Sequence, residues 1–251
     1  MPHDPAPPRA WLDGEALPDQ EIGAPAPALF AGIGADAPLF ESLRWPETAP
    51  GEFDAHLERM RAAARLLRRP FPASLGRWRP PGQPPAGQGT LRISLSPAGR
   101  WRAWLGPDLL IQPPALTLSP PIPLALPPTV KHHARQPWEE AERAAGGELL
   151  FHEGGFLLET SRANVLARIN DTIWTPPLDG RVLPGCTRAR VLREAAQVGL
   201  TVREAPLPIE FALQPDPPLW ITSSLRGLVR VGSVRVGSVR VDEVKGRPPG
   251  A

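Results

Sequence analysis

Lysine is rare in this sequence, and one of its few lysines lies in the stretch TVKHHARQ at residues 129–136. Lysine and arginine together number 28, of which only Lys131 and Lys245 are lysine. Arginine can replace lysine at almost any surface position, but its guanidinium group stays protonated, whereas a lysine amine can lose its proton and react. A lysine considered alone is most often a surface residue, but in such a chain the lysine at position 131 raises the question of nucleophilic chemistry.

Two histidines follow Lys131 directly and invite a metal-binding interpretation. Adjacent residues of an extended strand point to opposite faces, so His132 and His133 would not converge on one ion. No third ligand stands at a useful spacing in the sequence. The sequence therefore predicts no metal site, although His133 could face an active site.

A dispersed set of polar and small residues follows in the second half of the chain. It comprises, in order, Glu159, Ser161, Asn164, Thr175 and the segment Leu183-Pro184-Gly185-Cys186-Thr187-Arg188. This set resembles the signature of the class IV aminotransferases, which are fold-type IV pyridoxal-phosphate enzymes. The order and the gaps match, with two departures: Leu166 replaces a usual aromatic residue, and Cys186 replaces a usual branched aliphatic one. The resemblance is dense in the second half of the chain and thin in the first.

The resemblance gives Lys131 a role. In this family a lysine about 28 residues before the glutamate binds the cofactor pyridoxal 5'-phosphate covalently, and Lys131 stands 28 residues before Glu159. The family's glutamate partners the pyridine nitrogen of the cofactor, whose ring accepts electrons best when that nitrogen is protonated. The resemblance thus implies that Lys131 is catalytic and also moves protons, and that Glu159 binds the cofactor.

The remaining cofactor-binding roles also come from the resemblance. Backbone N–H groups at a helix start suit a phosphate group, and the family places residues 186 and 187 there. An arginine of the HLERM helix is expected to pair with the phosphate from the other domain, and a leucine to pack against the cofactor ring. The residues implied are Arg59, Leu183, Cys186, Thr187, Ser223 and Ser224, while Asn164 is expected to bridge a turn beside the site.

The activity within the family is less closely defined. The stretch KHHAR is similar to that of the lyase branch, and Gln136 stands where transaminases more often have tyrosine. The first prediction is therefore 4-amino-4-deoxychorismate lyase, which makes 4-aminobenzoate and pyruvate in folate synthesis. A branched-chain or D-amino-acid transaminase is the alternative. A non-catalytic relative that keeps the fold as a binding or scaffold protein is the third hypothesis.

Elements that would position these residues can be read from periodicity. Apolar residues at spacings of four and three predict a helix that ends before Pro70, with a buried face of Phe53, Leu57, Met60, Ala64 and Leu67. A second helix is predicted over 187–199, and strand-like runs surround it. The resemblance implies an α/β (α+β) fold of the fold-type IV kind. A small N-terminal α+β domain (1–115), a proline-rich connector (116–129) and a larger C-terminal pseudo-barrel β domain with helices (130–251) are expected, with the cofactor between the domains.

Composition narrows the remaining classes of function. The formal net charge is only +2 over 251 residues, and no arginine–aromatic stripe accompanies the basic residues, so no nucleic-acid partner is predicted. No apolar run approaches the ~18 residues that span a bilayer. The single cysteine excludes an internal disulfide and favours a cytoplasmic protein. The resemblance adds a small-molecule substrate and a homodimer.

Overall fold

The computed structural model describes residues 9–18, 36–81, 89–108 and 116–236. The chain forms two compact units that divide after residue 111, except that Val130–Ala134 belongs to the first unit. The sequence interpretation placed its boundaries at residues 115 and 130 instead. Val130–Ala134 joins the first unit through hydrogen bonds, such as that from His133 N–H to the Pro38 carbonyl at 2.9 Å. Lys245 lies outside the described residues.

The first unit contains an antiparallel sheet and two helices. The strand order is β2-β1-β5-β4-β3, and every pairing in this sheet is antiparallel. The strands are β1 (Arg9–Leu12), β2 (Glu15–Ala16), β3 (Leu39–Trp45), β4 (Gly89–Leu95) and β5 (Trp101–Pro107), and the helices are α1 (Glu52–Leu66) and α2 (Ala73–Arg77).

Helix α1 forms where the apolar periodicity predicted it. Phe53, Leu57, Met60 and Ala64 are all buried, as residues spaced by three and four on one face of a helix should be. Glu52 and Asp54 lie in the first turn, where negative charge suits the helix dipole. The predicted helix is confirmed, although it ends at Leu66, before the last residue of the predicted face.

The second unit is built on a larger mixed sheet. Its main strand order is β11-β10-β9-β8-β7-β6-β15, and β12 pairs with β8, β13 with β9, and β14 with β13. The strands are β6 (Leu116–Ser119), β7 (Glu148–Glu153), β8 (Phe156–Thr160), β9 (Asn164–Ile169), β10 (Thr172–Thr175), β11 (Thr201–Glu204), β12 (Leu207–Pro208), β13 (Leu219–Ser223), β14 (Gly227–Arg230) and β15 (Val234–Val236). The helices are α3 (Gln136–Ala145) and α4 (Cys186–Gln197), with a 3-10 turn at Ile209–Phe211.

Residues 116–129 show how proline placement shapes this part of the chain. Residues 116–119 contain no proline and form β6, which pairs in parallel with β7 on one side and β15 on the other. The prolines follow from residue 120 onward, where no regular strand or helix forms. A residue without an N–H cannot donate to a sheet on that side, so the proline-rich part stays outside the sheet.

Alternating apolar residues of the sheet build the core of the second unit. Two tight hairpins, β7–β8 and β9–β10, turn at Gly154-Gly155 and at Asn170, all three of which have positive φ. The main cluster includes Leu116, Leu118, Leu150, Leu157, Val165, Ala167, Leu219 and Ile221. The mixed α+β fold predicted from the sequence is confirmed, with large sheets and few helices among the described residues.

Candidate functional site

Glu159 and Asn164 face each other across the β8–β9 hairpin. They are paired residues of adjacent antiparallel strands, so their side chains project from one face with their Cβ atoms about 5 Å apart. Thr160 closes the connection, since its N–H donates to the Ala163 carbonyl at 2.8 Å and its hydroxyl accepts the Ala163 N–H at 2.7 Å. This short connection fixes the register that puts the amide opposite the carboxylate.

Neutral N–H donors hold the carboxylate of Glu159. The backbone N–H of Leu183 donates to both carboxylate oxygens at 3.1 Å, and Asn164 Nδ2 donates to Oε2 at 3.1 Å. Only 6% of Glu159 is exposed. These donors carry no charge, and together they orient both oxygens of the carboxylate.

Arg135 interacts electrostatically with Glu159. Burial lowers the pKa of the Arg135 guanidinium, whereas the charges of Glu159 and Glu142 act to raise that pKa. The guanidinium carbon lies 4.7 Å from the centroid of the Trp138 ring. The sequence interpretation gave Arg135 no role of its own, although its place in the KHHAR stretch was a signal that marked it.

Residues 183–185 lead from this carboxylate to helix α4. Asn164 Nδ2 also donates to the Leu183 carbonyl at 2.9 Å. A Cβ placed on Gly185 would lie 1.8 Å from Asn164 Oδ1. The φ of Gly185 is −70°, which any residue adopts, so glycine is required here by space and not by backbone conformation. The next residue, Cys186, begins α4.

The N-terminus of α4 has the properties of an anion site. Gly185 gives no side-chain cap to the first turn, and that turn contains no acidic residue. The first N–H groups of a helix lack partners within the helix, and the helix dipole favours negative charge beside them. Thr187 Oγ1 lies 3.0 Å from Ser224 Oγ, so two hydroxyl groups stand together at the helix start.

A buried ion pair holds the turn that carries Ser223 and Ser224. Arg226 Nη2 lies 2.6 Å from Glu148 Oε2, and both side chains are 4% exposed. The Arg226 N–H donates to the Ser223 hydroxyl at 3.3 Å, and Glu148 accepts a hydrogen bond from the Thr160 hydroxyl. Since a buried charge without its partner is costly, the pair ties the β13–β14 turn to the start of β7.

Two residues of the signature set, Thr175 and Arg188, have a structural role. Arg188 is buried, and its guanidinium donates to the Thr175 hydroxyl at 3.2 Å, to the Pro176 carbonyl at 2.9 Å and to Glu204 at 2.8 Å. The Thr175 hydroxyl donates in turn to the Val165 carbonyl at 2.8 Å. These bonds fasten the first turn of α4 to β10 and β9.

Lys131 belongs to the first unit, beside the start of β3. Its carbonyl accepts the N–H of Phe40 at 3.1 Å, and its Nζ lies 4.9 Å from the centroid of the Phe40 ring. Phe40 also stacks on His133, with ring centroids 4.6 Å apart, and Ser94 Oγ lies 3.1 Å from His133 Nε2. The Phe40 ring therefore gives the lysine side chain a cation–π contact.

Arg59 also belongs to the first unit, where it pairs with Glu41. Its Nε donates to Glu41 Oε1 at 2.8 Å and its Nη2 to Oε2 at 2.5 Å, while His56 Nδ1 lies 2.7 Å from Oε2. Burial alone would raise the pKa of the Glu41 carboxyl, but the charges and hydrogen bonds of Arg59 and His56 hold that pKa well below its ordinary value. Glu41 and His56 were missed from the sequence; a glutamate inside the apolar run LFESLRW was the available signal.

The structure brings most of the predicted site residues together in one unit. Glu159 contacts Leu183, whose segment leads to Cys186 and Thr187, and Thr187 contacts Ser224, which follows Ser223. Lys131 and Arg59 lie in the other unit, each with its own partners. The roles of all eight residues stay predictions.

The described residues contain neither a metal-binding cluster nor a membrane-spanning helix. No group of three or more histidine, cysteine or carboxylate side chains within those residues is placed to hold a metal ion. Within residues 9–18, 36–81, 89–108 and 116–236, no helix combines the length and apolar character needed to cross a membrane.

Comparison with known proteins gives one family match and a set of similar structures. Residues 116–234 match the family model of the amino-transferase class IV proteins. No curated protein sequence matches the chain.

Three solved structures illustrate the likeness in fold. A Thermotoga maritima protein assigned as a branched-chain amino acid aminotransferase is 19% identical with a TM-score of 0.71, and the alignment covers 97% of this chain and 96% of that one. A hypothetical aminotransferase from Mycobacterium tuberculosis, in its PLP-bound form, is 20% identical with a TM-score of 0.68, covering 94% and 95%. The branched-chain amino acid aminotransferase of Escherichia coli is 16% identical with a TM-score of 0.66, covering 92% and 88%.

Proposed function

We propose that this protein is a pyridoxal-phosphate-dependent enzyme of the class IV aminotransferase family. The observation that carries the proposal is the arrangement in the second unit. The carboxylate of Glu159 is held by neutral donors, and residues 183–185 join it to an uncapped helix start that has two hydroxyl groups beside it.

The donor set of the second unit fits both ends of pyridoxal 5'-phosphate. A phosphate group suits the N–H groups of Cys186 and Thr187 and the hydroxyls of Thr187, Ser223 and Ser224. A protonated pyridine nitrogen suits the oriented carboxylate of Glu159. The Leu183 side chain is proposed to pack against the ring. When bound, the cofactor supplies an electron sink for carbanion chemistry at the substrate.

Lys131 and Arg59 complete the proposal from the first unit. Lys131 would hold the cofactor covalently through its Nζ, because a deprotonated lysine amine is a nucleophile. When not bonded to the cofactor, the same Nζ would move protons at the substrate carbon. Arg59 contributes to phosphate binding, and its bidentate pair with Glu41 fixes the plane of its guanidinium.

The two lysines give a matched test of the covalent step. The protein is incubated with pyridoxal 5'-phosphate, reduced with borohydride, digested and analysed by mass spectrometry. We expect the phosphopyridoxyl mass on the peptide that contains Lys131, and its loss in Lys131→Arg. The control Lys245→Arg should label as the parent does. Labelling of Lys131→Arg at the parent level, or a parent that takes up no cofactor, would overturn the proposal in favour of a non-catalytic relative.

The first activity proposed is 4-amino-4-deoxychorismate lyase. The observation that favours it is the KHHAR stretch followed by Gln136, which is exposed as the first residue of α3 where transaminases of the family more often carry tyrosine. The expected products are 4-aminobenzoate and pyruvate. Lactate dehydrogenase coupling measures the pyruvate, and chromatography measures the 4-aminobenzoate.

An aminotransferase that acts on branched-chain or D-amino acids is the second candidate. It is favoured by similar structures described as branched-chain amino acid aminotransferases. Incubation with an amino acid and 2-oxoglutarate separates the two candidates. Glutamate formation without release of pyruvate from aminodeoxychorismate would replace the lyase by the aminotransferase.

The proposal extends to assembly and location. A homodimer is implied by the family resemblance, and light scattering of the purified protein would detect twice the chain mass of 27.1 kDa. A cytoplasmic location agrees with a single cysteine, Cys186, which cannot form a disulfide within the chain.

A further inference from the structure

We infer that Asn164 is a positioning residue that fixes the separation between the carboxylate of Glu159 and the N-terminus of α4. The inference rests on the proposed function, in which these two groups bind opposite ends of one cofactor. Asn164 itself needs no contact with the cofactor in this role. Its part is to hold two anchors in one geometry.

The side-chain amide of Asn164 contacts three different groups. A side-chain amide has two N–H donors on its nitrogen, and here Nδ2 donates to Glu159 Oε2 at 3.1 Å and to the Leu183 carbonyl at 2.9 Å. The amide oxygen lies so close to Gly185 that a Cβ there would be 1.8 Å from it. One buried side chain thus links β8, β9 and the segment that enters α4.

Leu183, the first residue of segment 183–185, is held beside the carboxylate through both its backbone N–H and its carbonyl. Leu183 N–H donates to Glu159 and Leu183 C=O accepts from Asn164. Helix α4 begins directly after this segment, at Cys186. A displacement of Asn164 would therefore move the helix start relative to the carboxylate. A planar cofactor with its ring nitrogen and phosphate at a set distance tolerates little of that movement.

The residue type at 164 follows from the same contacts. An aspartate would place a second carboxylate against Glu159 and raise the pKa of one of the two. A leucine would leave the Leu183 carbonyl and Glu159 without these donors. Asparagine supplies two neutral N–H donors within its short reach, one to Glu159 and one to the Leu183 carbonyl.

Two probes separate the ring anchor from the phosphate anchor. Pyridoxal 5'-phosphate and pyridoxal are each titrated into the full-length protein, with the visible absorbance of the bound probe as the readout. The pyridoxal Kd reports binding of the ring at Glu159. The ratio of the pyridoxal Kd to the pyridoxal 5'-phosphate Kd reports how much the phosphate group adds to binding at the start of α4. Glu159→Gln should weaken both probes equally, and Thr187→Ala should lower only the ratio.

Asn164→Ala should move both quantities, since it acts on both anchors. We expect the pyridoxal Kd to rise about tenfold and the ratio to fall about tenfold, the size of a lost hydrogen bond at each anchor. The matched control is the chain's other asparagine, at the exposed β9–β10 turn: Asn170→Gly, which suits the positive φ there, should leave both quantities at the parent values.

If the Asn164→Ala variant does not fold, Asn164→Asp is tested in its place, because aspartate preserves the side-chain volume. It should weaken both probes and make their binding more dependent on pH than in the parent. A change in only one of the two quantities, or in neither, would overturn the inference. A parent protein that binds neither probe would instead overturn the proposed function.

Discussion

Glu41 and Glu159 are both buried carboxylates on β strands, one in each unit, and the partners that contact them differ in charge. Glu41 is 1% exposed and contacts charged or titratable partners, Arg59 and His56. Glu159 is 6% exposed and accepts hydrogen bonds from the Leu183 backbone and the Asn164 amide. Arg135 acts on Glu159 electrostatically.

The charge of the Glu41 carboxylate is compensated by an opposite charge, whereas the donors around Glu159 orient its carboxylate. A buried carboxylate costs several kcal/mol unless an opposite charge or hydrogen bonds offset the loss of water. At Glu41, Arg59 supplies the opposite charge within the first unit, so the pair contributes to the fold. At Glu159, neutral donors orient the carboxylate oxygens, Arg135 interacts with the carboxylate electrostatically, and the carboxylate is proposed to face a ligand. The first arrangement is typical of structure and the second of a binding site.

The largest expected effect comes from breaking the compensated pair. Glu41→Gln leaves the Arg59 charge without its bidentate partner, so the free energy of unfolding should fall by about 3–5 kcal/mol. Denaturant unfolding without added cofactor measures this value. The control is Glu58→Gln. Glu58 is exposed on α1, the helix that carries Arg59, and pairs with Arg61, so this variant should stay within about 1 kcal/mol of the parent. A Glu41→Gln variant as stable as the Glu58→Gln control would remove the distinction between the two carboxylates.

The second expected effect falls on activity and not on folding. Glu159→Gln keeps one side-chain oxygen as an acceptor for the Leu183 and Asn164 donors but loses the charge that is proposed to partner the ring nitrogen. Activity should fall about 100-fold, as expected when a charge-assisted hydrogen bond is lost, and the unfolding free energy should change by about 1 kcal/mol. Steady-state kinetics and denaturant unfolding measure the two values. A loss of stability as large as that of Glu41→Gln would mean that Glu159 also serves the fold.

The smallest effect is a partial loss of the Glu41 contribution in acid. The pKa of Glu41 is lower in the folded than in the unfolded chain. The contribution of Glu41 to stability is therefore complete above its unfolded-state pKa of about 4.3 and is lost as the pH falls toward its folded-state pKa. Unfolding free energy measured from about pH 6 to pH 3 should therefore decline more steeply for the parent than for Glu41→Gln. Other carboxyl groups such as Glu142, whose pKa is also lowered, are common to both proteins and cancel. Parallel curves would contradict the assignment of a depressed pKa to Glu41.

Parts of the candidate site could be predicted because they lie close in sequence. Glu159 and Asn164 are joined by a four-residue connection, and Leu183 to Thr187 are continuous, so the resemblance to the class IV aminotransferase signature could be recognised from these short segments. Spacing did not reveal which of its members build the fold. Arg188 and Thr175 belong to the same signature, yet they bond to each other and to carbonyl groups of the sheet. Only the contacts separate them from the residues that are proposed to bind the cofactor.

Sequence patterns by themselves determined the helix of Phe53 and Met60, the Gly154-Gly155 turn of the β7–β8 hairpin and the order of the signature residues. Those features depend on local periodicity and on backbone conformation, which short segments encode. The tertiary structure alone decided that Arg59 pairs with Glu41, 18 residues away, that Arg226 pairs with Glu148, 78 residues away, and that the Asn164 oxygen excludes a side chain at Gly185. Such partners are selected when distant strands pair and helices pack on them, and the energy of a buried charge depends on what that packing brings beside it.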